Sequence, residues 1–437
     1  MRAARTRQTL GRVRRRKFKS RPLIRAALEF INAANGLRPL TRKGYNAVWV
    51  FWFGWPTSEV PGVYLTASVL DAVRRGRRGD FSSPRGKVAL TLTAATWVIL
   101  AVIRRRVVTT AGPVLEAGLC DQLGPDFDKD LIDSTATPIR ATATATASRN
   151  LPLRTTVARR RYVEKTHVIV YGPHRRANLA DIWRRPDLPR DGKAPVLVQV
   201  PGGAWTLGWR RPQAYPLMSH LASRGWICVS LNYRVSPMHS WPAHIVDVKR
   251  ALAWVKENIS AYGGDPNFVA ITGGSAGGHL SALAGLTPNE PEFQPGFEEA
   301  DTSVAAVVPI YGRYDLFSTD REGRREFVEL LERFVIKQKF STHRDVYLDA
   351  SPIRHTHADA PPFFVIHGQD DSLIPVAEAQ EFVDELRAVS KAPVAYASLP
   401  HAQHAFDVFG SPRAHQTADA VARFLSWVYV QNPPAES

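Results

Sequence analysis

From about Arg154 onward, short apolar runs alternate with longer stretches in which apolar residues recur every three to four positions. The runs predict strands at Val157–Tyr162, His167–Tyr171, Val196–Val200, Ile227–Asn232, Phe268–Thr272, Ala305–Ile310, Phe363–His367 and Val394–Ser398. The longer stretches predict helices near Pro212–Arg224, Ala243–Ile259, Arg321–Phe340, Ala377–Ser390 and Ala414–Gln431. Continuous apolar strands separated by helices of this length imply an α/β architecture, a mostly parallel eight-stranded sheet covered by helices on both faces. The first two strands have no helix between them and should form an antiparallel edge.

Upstream the pattern is different. Gly44–Leu70 carries one charge, Glu59, and is crowded with Trp49, Phe51, Trp52, Phe53 and Trp55; Val88–Ile103 is uncharged and bounded by Lys87 and Arg104 to Arg106. At about 1.5 Å per residue the second run is roughly 24 Å long, short of a hydrocarbon core of ~30 Å. It could span only with local thinning or with its arginines reaching back to the interface. Arginine clusters and tryptophans at the borders favour helices associated with a membrane over helices buried on the domain. The organisation expected is therefore a basic arm at 1–43, membrane-associated helices at 44–110, a linker at 111–150 and a catalytic domain at 151–437. The alternating Ala141–Ala147 tract, with little apolar surface to bury, suggests an extended tether.

Charge sharpens this division. The 437 residues have a net charge of +17, but residues 1–110 hold 23 Lys and Arg against four acids, so the excess belongs to the N-terminal region. A basic arm suits nucleic acid, yet the aromatic, uncharged run that follows it suits a lipid surface, and no nucleic-acid partner is expected. If Val88–Ile103 alone spans, most Lys and Arg stay inside and the catalytic domain lies outside. Cys120 and Cys228 are the only cysteines, so no disulfide framework is expected.

Chemistry should sit at the carboxyl ends of the strands. There the sequence places Pro201-Gly-Gly-Ala-Trp205, Gly273-Gly-Ser-Ala-Gly277, Gly368-Gln-Asp-Asp371 and Pro400-His-Ala-Gln-His404. A strand running into a glycine-flanked serine and then a small-residue helix is the pattern of a nucleophile elbow. A serine needs a base and the base needs a carboxylate to hold its tautomer, so Ser, His and Asp on convergent loops make a working set.

The motifs Gly202-Gly203 with Trp205, Asn232-Tyr-Arg-Val-Ser-Pro237, Gly264-Asp-Pro266, Gly273-Gly-Ser-Ala-Gly-Gly278, His367-Gly-x-x-Asp371 and His404-Ala-Phe406 resemble those of the α/β-hydrolase fold. Within it, residues from about 154 to 431 are similar to bacterial carboxylesterases related to hormone-sensitive lipase, especially membrane-associated mycobacterial esterase/lipases. The resemblance implies Ser275 as nucleophile, His404 as general base and acid, and Asp371 as the orienting carboxylate. It implies an oxyanion hole of the Gly203, Ala204 and Ala276 N–H groups, with Gly202 permitting close approach. The family's His-Gly-Gly-Gly reads Pro201-Gly202-Gly203-Ala204 here, so the third glycine carries a methyl group.

Of the neighbouring residues, Asp370 and His401 are set aside by the motif spacing, and His279 should pack or cap. His355 and His357 lack a third ligand in pattern, and Trp205, Tyr311, Tyr314 and Asp315 could line the pocket. The expected activity is hydrolysis of small-molecule or lipid acyl esters through an acyl-enzyme, with no cofactor and no metal. Amide, formamide or peptide hydrolysis by the same residues, and a non-catalytic binding role on the same fold, remain open alternatives. The segment Arg321–Pro362 occupies a place suited to a lid.

Overall fold

The structure is a computed structural model, which describes residues 22–129, 131, 162–163, 169–318 and 324–432. Residues 1–21 of the basic arm, the Ala-Thr tract and most of the expected strand Val157–Tyr162 lie outside these residues.

Eight strands form one mixed sheet in the order β1-β2-β4-β3-β5-β6-β7-β8. They are β1 (Ile169–Val170), β2 (Leu179–Trp183), β3 (Ala194–Val200), β4 (Ile227–Leu231), β5 (Gly264–Gly274), β6 (Ala306–Ile310), β7 (Phe363–Gly368) and β8 (Val394–Leu399). Among the described residues β1 with β2 and β2 with β4 pair antiparallel, as does the single bridge Val163–Trp183; every pairing from β4 to β8 is parallel. The strand β2 was not anticipated. Its polar Asp181 breaks the apolar run, but the carboxylate is answered by Arg210 and Arg211, with Arg210 Nε at 2.9 Å, so the strand is buried nonetheless.

Burial on both faces explains the unbroken apolar character of the central strands: β3, β4 and β6 are buried along their whole length. On one face lie α7 (Ala243–Asn258), α8 (Ala276–Leu286) and α11 (Val376–Val389), whose Ile245, Leu280 and Phe382 share a core with Val198, Ile271 and Val365. On the other lie α5 (Ala111–Leu123), α6 (Tyr215–Ser223) and α12 (Pro412–Gln431), whose Leu115, Leu217 and Val421 pack with Leu197, Ala270 and Phe364.

The helix α5 occupies Ala111–Leu123, the first part of the expected linker 111–150, most of whose remainder lies outside the described residues. Leu115 and Leu119 are fully buried, and a Cβ on Gly118 would collide with the carbonyl of Tyr396, so the helix lies hard against β8. Its acids are partners of the domain rather than a sign of solvation: Glu116 pairs with Arg423, and Asp121 meets Arg387 at 3.2 Å.

Before α5 come α1 (22–37), α2 (Asn46–Glu59), α3 (Pro61–Arg77) and α4 (Pro84–Thr109). The apolar run Gly44–Leu70 is thus two helices, which part at Val60 where Pro61 opens α3. Ser83 caps α4, accepting from the Gly86 N–H at 3.1 Å, and α4 turns back beside α3, with Trp97 donating to Ser68 Oγ at 3.1 Å. The helix α1 joins them through Arg25 and Asp71 at 3.0 Å. The stretch Pro84–Leu123 is long and apolar enough to cross a membrane. Of that stretch, α5 belongs to the domain core.

The segment expected as one helix at Arg321–Phe340 ends early, at Val335. It contains α9 (Arg324–Leu330), a π-helical turn over Leu331–Val335, and then a loop leading to α10 (Arg344–Asp349).

Candidate active site

The chain runs from β3 to β4 on one side of β3 and returns with β5 on the other, which leaves a crevice at the carboxyl ends of β3 and β5. Pro201 to Trp205 leave β3 there, and Ser275 follows β5.

Ser275 has φ 58° and ψ −122°, a backbone region disfavoured for a residue with a Cβ. It is held there from both sides: its N–H donates to the Ile310 carbonyl at 3.0 Å, and its own carbonyl accepts from the His279 N–H at 3.0 Å. The glycine before it is required by contact, because a Cβ on Gly274 would lie 2.5 Å from the Tyr311 hydroxyl oxygen. Ala276 opens α8, so its N–H is among the donors a helix start leaves without an intrahelical acceptor.

A Cβ on Gly202 would meet the Gly274 carbonyl and approach Ser275 Cβ to 3.1 Å, so the loop after β3 lies directly on the serine turn. Gln213 clamps that loop: its Oε1 accepts from the Gly202 N–H at 2.7 Å and its Nε2 donates to the Gly202 carbonyl at 3.1 Å. The Gly202 N–H is therefore occupied. Gly203 has φ 129° and Ala204 φ 51°, so the methyl that replaces the third glycine sits on a left-handed backbone.

Asp371 and His404 come together from the ends of β7 and β8, with His404 Nδ1 donating to Asp371 Oδ2 at 2.6 Å. The other carboxylate oxygen accepts from the Leu373 and Ile374 N–H groups, each at 2.8 Å. Burial opposes ionisation of Asp371, but the His404 charge and hydrogen bonds from His367 and His404 outweigh it and hold the carboxyl well below the usual carboxylate range. Gln403 ties the two loops, its Oε1 accepting from the Ser372 and His404 N–H groups at 2.8 Å each.

Tyr311 connects this pair to the serine turn. Its hydroxyl faces Gly274, its ring packs against His404 with centroids 4.8 Å apart, and it donates to buried Asp407. Burial, and then the neighbouring Asp407 carboxylate, push the Tyr311 hydroxyl far above its ordinary range.

The other neighbours separate cleanly. Asp370 faces outward to Arg42 at 2.5 Å, with His401 at 3.6 Å. His279 is fully buried, accepting from the Trp205 indole at 3.1 Å and bonded to the Ala350 carbonyl at 2.7 Å; burial lowers it to about 4. Tyr314 stacks on Phe382 at 4.2 Å in the core, and Asp315 caps the Phe317 and Ser318 N–H groups, so neither lines the crevice as expected.

Sequence reasoning missed the role of α2. Phe51 lies edge-on to His404 with centroids 5.8 Å apart, the Trp55 indole donates to the Ala405 carbonyl at 2.8 Å, and Glu59 pairs with Arg413 at 2.6 Å. Tyr45, just ahead of α2, donates to Glu329 of α9 at 3.3 Å. The aromatic run drew attention as lipid-facing, and nothing local in the sequence shows that one side of it packs on a residue 350 positions away.

A family model described as BD-FAE matches residues 181–386. "Probable carboxylic ester hydrolase LipM" of Mycobacterium tuberculosis is 50% identical over 93% of this chain and 93% of its own length. The chain belongs to that family of carboxylic ester hydrolases. "Esterase LipQ" of the same organism is 46% identical over 86% of this chain and 84% of its own. Among solved structures, an esterase from Thermogutta terrifontis superposes with a TM-score of 0.52 at 22% identity, covering 62% of this chain and 96% of that one. A truncated carbohydrate esterase from gut microbiota gives 0.51 at 23%, covering 61% and 97%. At these identities the two structures establish the α/β-hydrolase fold, and the relatives establish an enzyme of the ester hydrolase class.

Proposed function

We propose that this ester hydrolase works by two-step acyl transfer. Ser275 Oγ attacks the ester carbonyl while His404 takes its proton, and Asp371 holds the imidazole in the tautomer that leaves Nε2 free to do so. The Gly203, Ala204 and Ala276 N–H groups receive the oxyanion. The alcohol leaves with the proton from His404, and water then repeats the sequence to free the carboxylate and Ser275. The observation that carries this reading is the 2.6 Å His404–Asp371 bond, joined to the positive-φ serine turn through Tyr311, whose ring packs on His404 and whose hydroxyl faces Gly274. Hydrolysis of a series of chromogenic acyl esters by the wild type and by Ser275→Ala tests it: activity should collapse in the variant, and equal activity would refute the assignment. The same series with the matching anilides separates ester from amide hydrolysis.

We further infer that residues 22–110 associate with a membrane, which favours acyl lipids or other apolar esters as substrates. Nineteen exposed large apolar residues lie between Ile24 and Val108, against five in all the remaining described residues. The α3–α4 turn carries Arg74, Arg77, Arg78, Arg85 and Lys87 at the end of the bundle away from the catalytic domain. The positive-inside rule then favours the catalytic domain on the outer side.

A further inference from the structure

The helix α2 has three distinct sides. One, with Phe51, Trp55 and Glu59, is fixed to the loops bearing His404 and Arg413. A second packs on α1, where Asn35 donates to the Val50 carbonyl at 2.8 Å and Asn32 to Thr57 Oγ1 at 2.7 Å. The third carries Trp49, Trp52 and Phe53, spaced as one stripe of a helix and between 54% and 64% exposed. Three large aromatic side chains in the open on two turns of helix cost solubility, and tryptophan and tyrosine are the residues that settle at the headgroup level of a bilayer.

Charge on the same end of the bundle indicates what covers them. Arg38 precedes α2 and Arg104 and Arg105 end the lipid-sized part of α4, all three exposed, while the apolar surface of α4 runs on from this level, with Val98 65% and Val102 39% exposed. A second protein would have to match both the aromatic stripe and the apolar side of α4. A bilayer with anionic headgroups satisfies both together.

We propose that α2 lies in the surface of an anionic bilayer, with Trp49, Trp52 and Phe53 at the boundary of headgroups and acyl chains, while Phe51 and Trp55 on its opposite side hold the His404 loop. The crevice then opens at the lipid surface and takes its ester from the bilayer. This rests on the ester hydrolase mechanism above and names the phase from which that site draws its substrate. Phe51 and Trp55 act as positioning residues, through His404.

The test uses the full chain reconstituted in vesicles of phosphatidylcholine with phosphatidylglycerol. Two rates are compared in the wild type and in Trp49→Ser/Phe53→Ser: hydrolysis of a long-chain ester embedded in the vesicles, and of a short water-soluble ester in detergent. Removing two aromatic anchors should lower the first by at least about tenfold and leave the second unchanged. Equal loss of both rates, or loss of neither, overturns the proposal. An activity-independent reading comes from tryptophan quenching by lipids brominated on their acyl chains. Trp49→Phe should remove part of the quenching; an unchanged signal, or protection of this face by a second copy of the chain without lipid, also overturns it. If Ser275→Ala retained both rates while the Trp49 quenching persisted, the triad would fall and the docking surface would stand.

Discussion

Glu59 closes α2 onto the catalytic domain, and its removal should be felt well beyond the helix. Its carboxylate accepts from Arg413 at 2.6 Å and from Ser411 Oγ at 2.9 Å, with the two charged side chains no more than 1% exposed. Glu59→Ala leaves the Arg413 guanidinium buried without its counter-charge, a change that costs about 3–5 kcal/mol, while replacing both partners with apolar residues is close to neutral. In a unit of this size each kcal/mol moves the melting temperature by about 2–4 °C, so the single variant should melt on the order of 10 °C lower. Thermal unfolding in mild detergent, followed by near-ultraviolet circular dichroism, measures this. The double variant Glu59→Leu/Arg413→Met should recover most of the loss. A single variant within about 0.5 kcal/mol of wild type, or a double variant equal to the sum of the singles, would refute the claim that the pair is a closed buried unit.

Asp371→Asn should keep the fold and lower kcat by about 10⁴, because the imidazole loses the acceptor that fixes its tautomer; a loss below tenfold would displace Asp371 from its role. Ala204→Gly should relieve the left-handed backbone at φ 51° and raise stability by about 0.5–1 kcal/mol without loss of ester hydrolysis, read as a higher melting temperature. His279 is buried and lowered from 6.5 to about 4, so between these values the unfolded chain binds a proton that the folded chain refuses. Stability is therefore present above about pH 6.5 and falls by about 3 kcal/mol on acidification toward pH 4. His279→Gln should flatten that part of the curve, and an identical slope in the variant would exclude His279 as its source.

The serine turn at the sheet edge was legible because its pattern is local. A strand, a tight turn and a helix are written into Phe268 to Leu286, and the strained turn itself demands the small residues that betray it. The pairing of β3 with β5, which lays Gly202 on Ser275, came only from the structure, because the pattern of strands and helices does not fix their order in the sheet. Long-range compensation was not legible. Asp181 reads as a strand breaker until Arg210 and Arg211 answer it, and the acids of α5 read as a linker until Arg423 and Arg387 do. Gln213 and Gln403 carry no local signal at all, since their value lies in backbone groups on other loops. The aromatic run of α2 gave away its exposed side through composition, and hid its buried side because helix and domain surfaces are both apolar.

The most direct test of the central claim is intact-mass and peptide-level mass spectrometry after reaction of the full-length enzyme with a fluorophosphonate ester. The account predicts one adduct per chain, on Ser275, with loss of ester hydrolysis in step with labelling, and none in Ser275→Ala. An adduct on another residue, or hydrolysis that survives complete labelling of Ser275, would contradict it.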